Sequence, residues 1–149
     1  MNHIPFTQKG VDELKEELEQ KKASRPAIIK ELQRARELGD LSENGLYKAT
    51  KGQLIDTDRR IRHLTYLIKN AKVNDATSSD NITIGNTVKL ESDGRIYTYQ
   101  VVGTYESNPS DGKISIESPI GRLLLGKKAG QEVVLKRDKD IIYKILEIS

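Results

Sequence analysis

Arg34-Ala35-Arg36-Glu37-Leu38-Gly39-Asp40-Leu41-Ser42-Glu43-Asn44 is the stretch whose reading decides the fold. What flanks it makes it a turn. On its N-terminal side Val11, Leu14, Leu18, Lys21, Arg25, Ile28, Leu32 and Ala35 recur by alternating threes and fours, with Lys21 and Arg25 as polar members. On its C-terminal side Tyr47, Thr50, Leu54, Thr57, Ile61, Leu64, Ile68 and Ala71 continue the same spacing. A seam that returns every 3.5 residues is the coiled-coil signal. Two such segments joined by a few residues fold back as an antiparallel helical hairpin. With a rise of about 1.5 Å per residue, arms of roughly 30 residues extend about 45 Å. The turn is therefore expected at the far end of a slender rod.

Composition agrees with a thin hairpin. Hydrophobic residues make up 36% of the 149 and charged residues 32%, as expected when most of a rod's surface faces water. The chain has no Cys, which excludes disulfides and thiolate metal sites and fits a reducing compartment. No apolar run reaches transmembrane length, and no signal-peptide core is visible at the N-terminus. The expectation is a soluble cytoplasmic protein, monomeric and without a membrane partner. A net charge of +3 is too small to argue nucleic-acid binding by itself. The excess sits in residues 1–73, with 15 Lys and Arg against 11 Asp and Glu.

Along the chain, Thr7 is a suitable N-cap for the first arm. Pro26 removes a backbone donor and is expected to kink that arm or start a new helical segment. Gly45 and Gly52 each cost about 1 kcal/mol of helix propensity at the start of the second arm. Residues 74–81 are polar and aperiodic and read as a linker between the hairpin, residues 1–73, and a C-terminal domain, residues 82–149. In that domain residues 87–90 and 96–102 read as strands around the hairpin turn Ser92-Asp93-Gly94. Residues 113–116, 131–136 and 141–148 supply further strands. Ser118-Pro119 opens a short helix ended by Gly126. The fold class is α+β: an N-terminal antiparallel coiled-coil hairpin and a C-terminal domain on an antiparallel sheet.

The turn has two readings. In one, Gly39 takes the left-handed position after the first helix, Asp40 caps the second, and Glu43 reaches back to complete a capping box. In the other, Asp40 and Glu43 offer hard oxygen ligands to Mg²⁺. Two carboxylates leave most of an octahedral shell open, so a stable site in this chain alone is not expected. Completing a site half-formed in another molecule is the better fit. Arg34, Arg36, Lys48 and Lys51 could contact nucleic-acid phosphates, or else form a solvated face paired with Glu31, Glu37, Asp56 and Asp58. His3 and His63 are isolated and carry no ligand spacing. No nucleophilic triad and no phosphate-cradling glycine loop is present, so independent catalysis is not expected.

The stretch from Ala35 to Asn44, with Tyr47 and Ala49, resembles the GreA/GreB family of bacterial transcript-cleavage and elongation factors. Gly112-Lys113-Ile114-Ser115-Ile116, Ser118-Pro119-Ile120-Gly121, Leu125-Gly126-Lys127 and residues 143–148 extend the resemblance over essentially the whole chain. It implies a factor that is not itself an enzyme. Its hairpin would enter the secondary channel of bacterial RNA polymerase, where Asp40 and Glu43 match the acidic residues that help hold a catalytic Mg²⁺. The polymerase would then cleave backtracked nascent RNA near its 3′ end. The C-terminal domain would be FKBP-like and dock on the channel rim, with Ser118 and Pro119 matching a segment near that surface. Prolyl isomerase activity is not implied, because Trp is absent and Phe6 lies outside the domain. The chain departs from the family where Leu46 replaces an acidic residue and Gly45 and Gly52 replace helix formers. Those departures keep a second reading open, a channel-occupying inhibitor that does not stimulate cleavage.

Overall fold

The computed structural model describes residues 3–39, 44–73 and 80–149. It contains two compact units, Asp12–Asn70 and a discontinuous unit formed by Met1–Val11 with Ala71–Ser149. The expected linker falls largely on residues 74–79, which lie outside the described residues.

The first unit is the helical hairpin. Its arms come from α1 (Gln8–Arg36) and α2 (Gly45–Asn70). All the heptad positions named above are buried or half-buried, including polar Lys21 and Arg25. Ile28, Leu32 and Ala35 on α1 and Thr50, Thr57 and Leu64 on α2 are the most deeply buried of them within this unit. Cross-arm bonds set the direction. The Arg25 guanidinium meets Asp58 at 2.6 Å, and that of Arg60 meets Glu17 at 2.6 Å. Near the turn, the Asn44 side-chain amide donates to the Ala35 carbonyl at 2.7 Å. As the α1 partner moves toward the N-terminus, the α2 partner moves toward the C-terminus, which is the antiparallel arrangement. Because half-exposed ion pairs contribute little net stability, these fix register more than they hold the arms together.

Pro26 does not restart the helix: α1 passes through it as one element. The ring deletes only the bond that the Lys22 carbonyl would have accepted. Pro26 and Lys22 are both exposed, so water can take the freed carbonyl.

The second unit begins before the hairpin does. β1 (Ile4–Phe6) pairs in parallel with β2 (Ala71–Val73), matching Ile4 to Ala71 and Phe6 to Val73. Phe6 is fully buried and stacks on Tyr105 with ring centroids 6.2 Å apart. Thr7 is the N-cap of α1, its hydroxyl accepting from the Gly10 N–H at 3.0 Å. Glu106 then holds the cap: one carboxylate oxygen accepts the Thr7 N–H at 2.9 Å and the other accepts the Thr7 hydroxyl. Gly103 sits against Pro5, where any Cβ would overlap the Pro5 carbonyl oxygen.

The main sheet has five strands: β3 (Thr87–Ser92), β4 (Arg95–Val102), β5 (Lys113–Ser115), β6 (Glu132–Leu135) and β7 (Ile141–Ile148). Their order is β5-β4-β3-β7-β6. The β3–β4 turn is Asp93-Gly94, with φ of 55° and 76°. Positive φ at both central residues is what a two-residue type I′ hairpin requires. The sheet is not purely antiparallel, because β5 lies parallel to β4. The chain reaches that edge through two short 3-10 turns, Thr104–Glu106 and Pro109–Asp111, which reverse its approach. α3 (Pro119–Leu124) has Ser118 as its N-cap and Pro119 in its first turn, as expected. The core includes Ile82, Val88, Leu90, Val101, Leu124, Val133 and Ile145. The α+β assignment stands. Among the described residues, no helix is long and apolar enough to cross a membrane.

Candidate functional site

The hairpin turn is built from the last turn of α1 and the first of α2. The final α1 carbonyls are closed by tight bonds, Glu37 N–H to Arg34 and Leu38 N–H to Ala35, each 3.2 Å. Gly39 follows with φ of +113°. A Cβ there would touch nothing, so glycine is required by the backbone conformation and not by crowding. Asp40, Leu41, Ser42 and Glu43 lie outside the described residues.

The chain resumes at Asn44, which does three things. Its side-chain oxygen accepts the Tyr47 N–H at 3.0 Å, and its backbone carbonyl accepts the Lys48 N–H at 3.1 Å. Its amide nitrogen spans the turn to the Ala35 carbonyl. Asn44 is therefore the N-cap of α2. This corrects the capping box placed on Asp40 and Glu43, because α2 starts at Gly45 and its third residue is Tyr47. Asn is as good a cap as Asp, but the capping-box spacing pointed to Asp40, because Glu43 stands three residues after it and Tyr47 three after Asn44.

The four basic candidates divide. The Arg36 guanidinium lies 5.8 Å from the Tyr47 ring centroid and the Lys51 ammonium 5.9 Å from it. Both distances are within cation–π range, so one aromatic ring gathers a cation from each arm. Arg34 pairs with Glu31 on its own helix at 3.6 Å. Lys48 is exposed and, with Lys21, borders a cleft of about 880 Å³ between the arms. Small residues Ser24, Ala27, Ala49 and Gly52 open that cleft. Leu38 and Leu46 are both exposed beside the turn, at 66% and 43%. His3 and His63 are exposed as well.

Down the arms, the hydrogen bond from Arg25 holds the Asp58 carboxyl below its ordinary value. Desolvation opposes that shift, while the charges of Arg25 and then Arg62 add to it. Among the described residues there is no group of three or more His, Cys, Asp or Glu side chains able to hold a metal ion. Ser118 and Pro119 lie in the other unit. The Ser118 hydroxyl accepts from the Gly121 N–H and donates to the Ser115 carbonyl at 2.6 Å, while Pro119 is exposed.

Asn44 and Tyr47 are the turn residues whose roles sequence reasoning missed. Both stood in the quoted motif, but only coordinates show Asn44 bonding to both arms and Tyr47 between two cations.

Two family descriptions match successive parts of the chain. "Transcription elongation factor, N-terminal" (GreA_GreB_N) matches residues 4–73, and "Transcription elongation factor, GreA/GreB, C-term" matches residues 77–149. The chain belongs to the GreA/GreB family. Curated family members named "Transcription elongation factor GreA" are similar over nearly full length. The one from a Nitratiruptor species is 39% identical, with 97% of this chain and 91% of that protein covered. The one from Thermoanaerobacter pseudethanolicus is 43% identical, with 97% and 96% covered. Among solved structures, the GreA factor homolog 1 (Gfh1) protein of Thermus thermophilus aligns over 99% of both chains at 26% identity, with a TM-score of 0.47.

Proposed function

We propose that this GreA/GreB-family chain is a transcription elongation factor acting on RNA polymerase. Its hairpin enters the polymerase's secondary channel and stimulates cleavage of backtracked nascent RNA, releasing stalled complexes. The polymerase performs the chemistry, and this chain completes its active site in trans. The full-length family match is the observation that carries the reading.

The hairpin geometry supports it. At about 1.5 Å per residue, helices of 29 and 26 residues are roughly 44 and 39 Å long. Residues 40–43 are the link between them, entered from Gly39 and left at Asn44. Because Asn44 caps α2, neither Asp40 nor Glu43 is needed for that task. The capping role that rivalled a Mg²⁺ role for the two acids is therefore filled by Asn44. In this proposal Asp40 and Glu43 contribute oxygen ligands to a Mg²⁺ that the polymerase supplies and mostly holds. Such an ion activates water and stabilises charge on the displaced oxygen. Arg36 and Lys51, gathered at Tyr47, face the phosphates near the RNA 3′ end, with Arg34 and Lys48 contributing more diffuse attraction. Ser118 and Pro119, at the start of α3, belong to the surface that docks on the channel rim.

The test is RNA shortening in halted, backtracked complexes. Adding the protein is expected to accelerate it, and Asp40→Asn to suppress the acceleration at least tenfold while polymerase binding stays within about twofold. Unchanged cleavage by Asp40→Asn would remove the metal role. Slowed transcription with no extra cleavage would identify an inhibitor instead.

A further inference from the structure

The cations of the hairpin are held in two chemically different ways. Arg25 pairs with Asp58, Arg34 with Glu31, Arg59 with Asp56 and Arg60 with Glu17. Arg62 adds its charge to that of Arg25 at Asp58. Arg36 and Lys51 differ: among the described residues neither has a carboxylate partner. Each meets the Tyr47 ring instead, at 5.8 and 5.9 Å from its centroid. The distinction is electrostatic. A carboxylate cancels the charge that it pairs with, whereas the quadrupole of a ring attracts a cation and leaves its full charge in place.

Tyr47 is a suitable fixed point. It occupies a seam position of α2, is half-buried, and has its N–H held by Asn44. Its hydroxyl has no hydrogen bond among the described residues, so the ring is the part in use. Arg36 closes α1 and Lys51 belongs to α2, and both are exposed. One shared ring therefore keeps a charge from each arm beside the turn. Long basic side chains lose much rotamer freedom when they bind an anion. A ring that restrains them beforehand lowers that cost, which is preorganisation.

We infer that Tyr47 is a positioning residue, holding Arg36 and Lys51 as uncancelled charges for the phosphates of single-stranded RNA. The inference rests on the polymerase reading above. Its test is a cycle of variants in halted, backtracked complexes, with cleavage measured at saturating protein. Tyr47→Leu keeps an apolar seam residue, Tyr47→Phe keeps the ring, and Arg36→Gln with Lys51→Gln removes the two charges. Tyr47→Met repeats the loss of the ring with another apolar side chain, and circular dichroism confirms the helices of each variant. Tyr47→Leu and Tyr47→Met are expected to slow cleavage about fivefold, as the loss of two exposed ring contacts supplies. Their half-saturating concentrations stay within about twofold of the unaltered protein's. Tyr47→Phe restores the full rate. Tyr47→Leu added to the charge-free double variant causes no further loss, because the ring then has nothing to hold. Undiminished cleavage by a folded Tyr47→Leu or Tyr47→Met would overturn the inference. So would a Tyr47→Phe as slow as Tyr47→Leu, or a further fivefold loss in the charge-free background. An unaltered protein that does not accelerate cleavage would instead overturn the polymerase reading, and this inference with it.

Discussion

Asn44 takes the capping role that one of the two readings of the turn gave to Asp40 and Glu43. It caps α2 and ties the start of that helix to the end of α1. The two bonds have separable chemistry. Asn44→Ala removes both and is expected to destabilise the hairpin by about 1–2 kcal/mol, the usual cost of a lost cap plus a lost side-chain bond. Asn44→Asp keeps the acceptor for the Tyr47 N–H but loses the donor to Ala35, so its loss should be smaller. Urea unfolding followed by helix circular dichroism measures both. No loss in Asn44→Asp would mean that the bond across the turn contributes nothing, and equal losses in the two variants would mean that the cap contributes nothing. Asn44 was visible in the sequence, but Asp40, four residues earlier, had the capping-box partner Glu43 and Asn44 had none. The positions of the helix ends, set by which carbonyls the chain can close, decide between them.

The heptad arithmetic carried the hairpin element well. Both arms and their direction follow from a seam repeating every 3.5 residues, because that period buries one stripe only against a second helix. The polar members Lys21 and Arg25 look like breaks in that stripe, yet Arg25 occupies its seam position by reaching Asp58 across the arms. The pair implies a pH dependence. Asp58 titrates below its ordinary value of 3.8 in the folded hairpin, so the unfolded chain binds the proton first as pH falls. Its contribution is full above the ordinary value and is lost as pH drops through the lower folded value. Hairpin unfolding temperatures should therefore fall with acid in this range, and Asp58→Asn should flatten that part of the profile. An unchanged acid slope in Asp58→Asn would show that other carboxylates control it. The three-residue strands β1 and β2 were not legible, since elements that short have no period to read. The parallel β4–β5 edge was hidden for a different reason. Strand runs reveal length and alternation, whereas direction is set by the 3-10 turns between them.

At the scale of the whole molecule, the compact units do not follow the chain in simple succession. The family descriptions divide it between residues 73 and 77, while Met1–Val11 packs as part of the C-terminal unit. Glu106 is the long-range contact responsible at the α1 cap, ninety-nine residues from Thr7. Nothing near Glu106 in the sequence announces that partner. Glu106→Ala leaves a part-buried N–H and hydroxyl without their acceptor and is expected to cost about 1–3 kcal/mol. Faster hydrogen exchange at Ile4–Phe6 would report it, whereas unchanged protection there would show that β1 is held by its strand pairing and Phe6 alone. The acidic residues of the turn were legible as a motif, and their proposed role concerns an ion that another molecule brings. The most direct measurement is the Mg²⁺ dependence of RNA cleavage in a backtracked polymerase complex, with this protein and with Asp40→Asn at saturating concentrations. If the chain supplies ligands to that ion, the variant will need severalfold more Mg²⁺ to reach half its maximal rate. Superimposable Mg²⁺ curves would contradict the account.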